Sequence, residues 1–190
     1  MANRDTPMGF RCAQGIGSQH VFKMFPVDVS SSTAMFVGDM VDLNAAGSVR
    51  PAATDAGVSA AGVCVGVYDS NGVPCGSPNS SVSTKYLTAT TAGYALVALA
   101  IPGAVFIGQL DSGTTPTVAD IGATCDHAAG SGSTTTARSA HELDASNIGT
   151  GLQTRIIGLV NEPANSWAEH ADVYFVFNES AFGCSGAASV

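Results

Sequence analysis

The sequence predicts an all-β protein: a compact β-barrel or β-sandwich over residues 20–190, preceded by an extended N-terminal arm over residues 1–19. Three observations lead there. At least six runs alternate apolar and polar residues or are apolar on both faces, the two signatures of half-buried and fully buried strands. Turn pairs such as Gly38-Asp39, Asn71-Gly72 and Pro102-Gly103 separate these runs. No stretch carries a 3.6-residue apolar period long enough for an amphipathic helix.

The arm has neither period, and Pro7, Gly9, Gly15 and Gly17 interrupt both helix and strand. Residues 20–25 then alternate, with Val21, Lys23 and Phe25 on one side, and stop at Pro26. The stretch over residues 34–68 organises the rest of the chain. It reads as two strands joined by a Gly- and Ala-rich excursion: Met40-Val41-Asp42-Leu43, with Val41 and Leu43 sharing a face, and residues 62–68, with three valines opposite Cys64, Gly66 and Tyr68. Asp69-Ser70-Asn71-Gly72 is a turn opening an irregular loop through Ser83. Residues 85–89 form a short strand. Residues 94–101, apolar on both faces, form a central strand, and Pro102-Gly103 joins it as a hairpin to residues 104–110. Short extended pieces are expected at 116–119 and 122–127, a flexible crossing at 128–136, and a turn of helix at Glu142-Leu143 with Ser139 as N-cap. The strand at 153–160 alternates Arg155, Ile157 and Leu159 against Ile156, Gly158 and Val160. The strand at 172–178 turns Val173, Phe175 and Phe177 to one side, and residues 179–190 read as a loose tail.

A chain of 190 residues can bury a full core without covalent staples. Only 12% of its residues are charged, against a usual quarter, so its surface is neutral and rich in small residues. Seven basic against fifteen acidic residues give a net charge of −8, which repels polyphosphate and argues against nucleic acid as a partner. Arg4, Arg11 and Lys23 nevertheless make the N-terminal segment locally basic. The five cysteines show no C-x-x-C spacing, the start lacks an apolar leader core, and no run reaches the length of a membrane span. These features imply folding in a reducing cytoplasm, with buried thiols in place of disulfides and no membrane association.

Chemistry-bearing residues cluster only at Cys125-Asp126-His127. On a strand, Cys125 and His127 share a face with Asp126 opposite, yet no third group and no family signature completes a nucleophilic site. His20, His141 and His170 lack metal-ligand spacing and read as surface or loop histidines. The Gly- and Ser-rich residues 129–134 lack the lysine and following helix of a phosphate loop, and Trp167 reads as a core or interface anchor ahead of a sugar platform. The expectation is a protein without catalytic residues, metal or cofactor. A carbohydrate- or receptor-binding β domain, suggested by Trp167 and the Ser/Thr-rich loops, is the alternative to a structural role.

The opening residues Ala2-Asn3-Arg4-Asp5-Thr6-Pro7-Met8-Gly9-Phe10-Arg11, the strand pair from Phe36-Val37-Gly38-Asp39-Met40-Val41 through Gly47-Ser48-Val49-Arg50-Pro51-Ala52 and Gly62-Val63-Cys64-Val65-Gly66-Val67, and the segments 117–139 and 152–160 together resemble the head-decoration, or capsid cement, proteins of tailed bacteriophages. Where that family commonly has proline after Phe-Arg, this chain has Cys12-Ala13. The resemblance implies a structural virion protein on the outer capsid surface. There it would clamp neighbouring major capsid protein subunits together with copies of itself, often as a homotrimer, with a homodimer as the alternative. The residues expected to contact the partner lie in the arm: Arg4, Pro7, Phe10 and Arg11, with Phe10 as an apolar anchor and the arginines as charge-assisted contacts.

Overall fold

A computed structural model describes residues 3–14, 17–54 and 60–183. The predicted excursion after Thr54 and the last part of the predicted tail lie outside these residues. The strands, in chain order, are β1 (Arg11–Cys12), β2 (Phe22–Pro26), β3 (Met40–Leu43), β4 (Val49–Pro51), β5 (Ala60–Asp69), β6 (Gly93–Leu99), β7 (Val105–Gln109), β8 (Thr124–Cys125), β9 (His127–Ala128), β10 (Glu142–Leu143), β11 (Thr154–Leu159) and β12 (Asp172–Phe177). Two five-stranded antiparallel sheets, β1-β7-β12-β11-β8 and β2-β6-β5-β3-β4, pack face to face, and β9 pairs with β10 beside them. The all-β expectation holds, and the arrangement is a sandwich.

The alternating strands place their apolar sets as their period requires. Val173, Phe175 and Phe177 of β12 face inward with Phe106 and Ile156 to form the core between the sheets. β6 lies between β2 and β5, and its two-sided apolarity has a physical cause. Ala98 faces the inter-sheet core, whereas Ala95, Val97 and Leu99 face a second core on the far side of their sheet, with Phe25, Met35 and Leu87.

Five local expectations are corrected. Pro102-Gly103 does not close a hairpin, because β6 and β7 belong to different sheets and the turn carries the chain across the sandwich. The valines of β5 do not share a face: register shifts at Val41/Asp42 and between Cys64 and Gly66 turn Val63 and Val65 toward the inter-sheet core but Val67 toward the second one. Glu142-Leu143 is a strand, since it pairs with His127-Ala128 and buries Leu143. Residues 118–120 form a 3-10 turn, capped where the Asp120 carboxylate accepts from Thr117 N at 2.6 Å. The tail is docked as far as Phe182, which packs on the second core beside Phe25, with Ser180 bridged to Ala60.

The predicted turn at Asp69 organises the loop after it. The buried Asp69 carboxylate accepts from Asn71 N and Val73 N at 2.9 Å, from Ser81 N at 2.7 Å, and from the Ser80 and Ser81 hydroxyls at 3.0 Å. These donors hold the carboxyl well below the usual carboxylate range.

Candidate functional site

The arm is extended, as its sequence requires, but it lies along its own body. Asn3 Nδ2 donates to Ser166 O at 2.8 Å, and Asn3 Oδ1 accepts from Ser166 N at 3.0 Å. Gln109, a buried polar residue at the end of β7, ties the next turn down. Its Oε1 accepts from Thr6 N at 3.0 Å, while its Nε2 donates to Arg4 O at 3.0 Å and His170 O at 3.1 Å. Phe10 N donates to Gly38 O at 2.8 Å, after which Arg11 and Cys12 pair with Ile107 and Phe106.

This placement revises the roles expected in the arm. Phe10 is 3% exposed and belongs to the inter-sheet core, with its ring edge-on to Phe175 at 5.1 Å. It cannot anchor a neighbouring chain from there, because the apolar surface that would drive such docking is already buried. Gly108 makes the socket: a Cβ at that position would come within 2.7 Å of the Phe10 ring. Pro7 is half-buried. Arg11 makes an exposed ion pair with Glu162 at 3.3 Å, and the Arg4 side chain is exposed. The outward basic and apolar elements of the arm are therefore Arg4, Met8 and Arg11. Between arm and body runs a groove of about 300 Å³ lined by Asn3, Arg4, Gln109, Glu162 and His170 among others.

The Cys125-Asp126-His127 trio is built into the core. Cys125 and His127 do share a buried face, as the strand period predicts. The Cys125 Sγ lies 3.2 Å from the Thr154 hydroxyl, and burial pushes the thiol up to about 12, so a thiolate is unavailable at neutral pH. Asp126 accepts from Leu152 N and Gln153 N, and His127 Nδ1 meets Gln153 Oε1 at 2.8 Å. Each of these residues is occupied in holding β8, β9 and β11 together. Trp167 is half-buried against the inter-sheet core, an anchor as expected. The cysteines of the described residues, Cys12, Cys64, Cys75 and Cys125, are free thiols.

His141, expected at the surface, is instead 3% exposed, and its ring lies 5.3 Å from that of His127. Met40 N donates to its Nδ1 at 3.3 Å, while its Nε2 stands 3.7 Å from Asp39 Oδ1. Asp39 Oδ2 accepts from Phe36 N at 2.7 Å. Burial pushes the Asp39 carboxyl up to about 7 and drives the His141 imidazole down to about 3, with His127 adding to the latter. Asp39, with a raised folded value, contributes stability that is full below its unfolded value near 4 and lost as pH rises through 7. His141, with a depressed one, contributes stability that is full above its unfolded value near 6.5 and lost as pH falls toward 3. Between about pH 4 and 6.5 the folded and unfolded forms of the pair bind equal numbers of protons, so the pair leaves stability flat there. The expected result is that His141 stays neutral between pH 8 and 4, its imidazole nitrogen shifts moving only slightly as the neighbouring Asp39 carboxyl titrates near 7. Nitrogen shifts that reach imidazolium values in that range would contradict this.

No helix among the described residues is long and apolar enough to cross a membrane. No protein-family model matches the chain, and comparisons with curated proteins and with solved structures find no significant match. The site is therefore defined by its own geometry. It consists of an arm laid against one face, a polar groove beside that arm, and an exposed apolar edge at β2. Sequence reasoning missed Gln109 and the Asp39-His141 contact. A lone glutamine closing an otherwise apolar run was the one visible signal.

Proposed function

We propose that this chain is a structural binding protein of the capsid-decoration type, seated on the outer surface of a phage head, where copies of it, as a homotrimer, clamp neighbouring major capsid protein subunits. The observation that carries the reading is the edge of β2. Over Phe22–Pro26 this strand has β6 on one side only, its continuation at Val27 bridging to Val49 of β4, and Val21 just ahead of it, with Phe22 and Met24 in it, are 50%, 51% and 43% exposed. An unpaired strand edge bearing exposed apolar side chains favours pairing with another chain. The histidine and cysteine of the one nucleophile-like trio are meanwhile committed to the core. The family resemblance of the arm and of the β3-β5 strand pair supports the same reading. With Phe10 internal, attachment falls to the β2 edge and to the outward Arg4, Met8 and Arg11.

The test is to add the purified chain to capsids lacking it and measure occupancy by particle reconstruction. A Phe22→Ser, Met24→Ser double variant should lose most of its occupancy while its melting temperature moves little, because neither side chain is in a core. Absence of the wild-type chain from particles would sink the proposal, and selective binding on a glycan array would favour the carbohydrate-binding alternative.

A further inference from the structure

Three segments far apart in the chain converge beside the arm: Asp5 in the arm itself, Glu142 on β10, and His170 just before β12. Each offers one ligand atom, and these atoms all lie within 4.8 Å of one another. Glu142 Oε1 and His170 Nδ1 are both shielded from solvent and both lack a hydrogen-bond partner. The approach of His170 Nδ1 to Asp5 Oδ1 is 4.0 Å, beyond hydrogen-bond reach. Two orphaned polar atoms facing one small space are costly unless something supplies the missing contacts.

We propose that Asp5, Glu142 and His170 form a binding site for a divalent transition-metal ion of the zinc class, which clasps the N-terminal arm to the body. An ion there satisfies both orphaned atoms at once. Tetrahedral zinc with bonds of about 2.0 to 2.2 Å holds its ligand atoms roughly 3.4 Å apart, and the exposed Asp5 side chain can swing to close the remaining distance. One imidazole nitrogen with two carboxylates favours zinc and its first-row neighbours over calcium or magnesium, which take oxygen ligands in greater number. The carboxylates of Asp5 and Asp111 near Glu142 make added positive charge favourable there. Three protein ligands leave a fourth position for water. This site is independent of the capsid reading, since its residues are not those of the β2 edge.

The experiment uses the full chain freed of metal with a chelator and titrated with zinc chloride in a calorimeter, with cobalt chloride as a spectroscopic probe. One equivalent is expected to bind, with cobalt showing no thiolate charge-transfer band. Glu142→Gln and His170→Asn should each weaken zinc binding by about 10-fold or more, and asparagine tolerates the left-handed backbone at position 170, where φ is 59°. Zinc should slow proteolytic cleavage of the arm in the wild type and not in these variants. Absence of saturable binding by the wild type would overturn the proposal. So would unchanged affinity in both variants, or a cobalt-thiolate band, which would assign the metal to the cysteines.

Discussion

Replacing Phe10 with alanine is expected to lower the melting temperature by about 10 °C, following a loss of about 3 to 5 kcal/mol for a buried phenylalanine in a chain of this size. The ring sits in the inter-sheet core against Phe175 and over Gly108, so truncation leaves a cavity bounded by rigid strands, and the backbone of Gly108 has no side chain with which to fill it. Arg11→Ala provides the contrast. Its partner Glu162 is exposed, and the pair is worth less than about 1 kcal/mol. Thermal unfolding of the two variants, with protease cleavage of the arm as a second readout, distinguishes the roles. A Phe10→Ala protein that melts like the wild type but fails to bind capsids would show that the arm leaves its own core to bind a partner.

Gly62→Ala is expected to cost more still, about 4 kcal/mol or above, and to give largely unfolded or insoluble protein. Gly62 lies in β5, paired on one side with Leu99 of β6 and on the other with Val41 of β3, at φ of 149°. A Cβ there would stand 2.0 Å from Ala98 O and 3.0 Å from Ala100 N. Both obstacles are backbone, so relief requires parting β5 from β6 in the middle of the sheet, and the left-handed side of φ adds strain of its own. Gly158→Ala is the matched control on β11: nothing lies within 4 Å of its added methyl, and little change is expected. Soluble yield and melting temperature decide the comparison, and a Gly62→Ala protein with near wild-type stability would show that the two strands can separate at small cost.

Much of the fold was legible in the chain because a strand's side-chain period is a local property. The alternation of Val173, Phe175 and Phe177, the two-sided apolarity of residues 94–101 and the turn at Asp69 each depend on neighbours in sequence, and each is found where the pattern places it. Pairing between strands is not local. Whether Pro102-Gly103 closes a hairpin or crosses the sandwich depends on which sheet receives β7, and the bulges that turn Val67 away from Val63 depend on the partners β3 and β6. The candidate sites divide in the same way. The sequence alone marked the arm as extended, basic and carrying an apolar Phe10, but any hydrophobic socket could have received that ring. Only the approach of Gly38, in the turn before β3, and of Gly108, in β7 of the other sheet, decided that the socket is the protein's own. The contact of Asp39 with His141, and the convergence of Asp5, Glu142 and His170, likewise join residues with no spacing signal between them. Burial and desolvation arise when distant segments close on one another, so the chemistry they impose on those groups was set by tertiary structure.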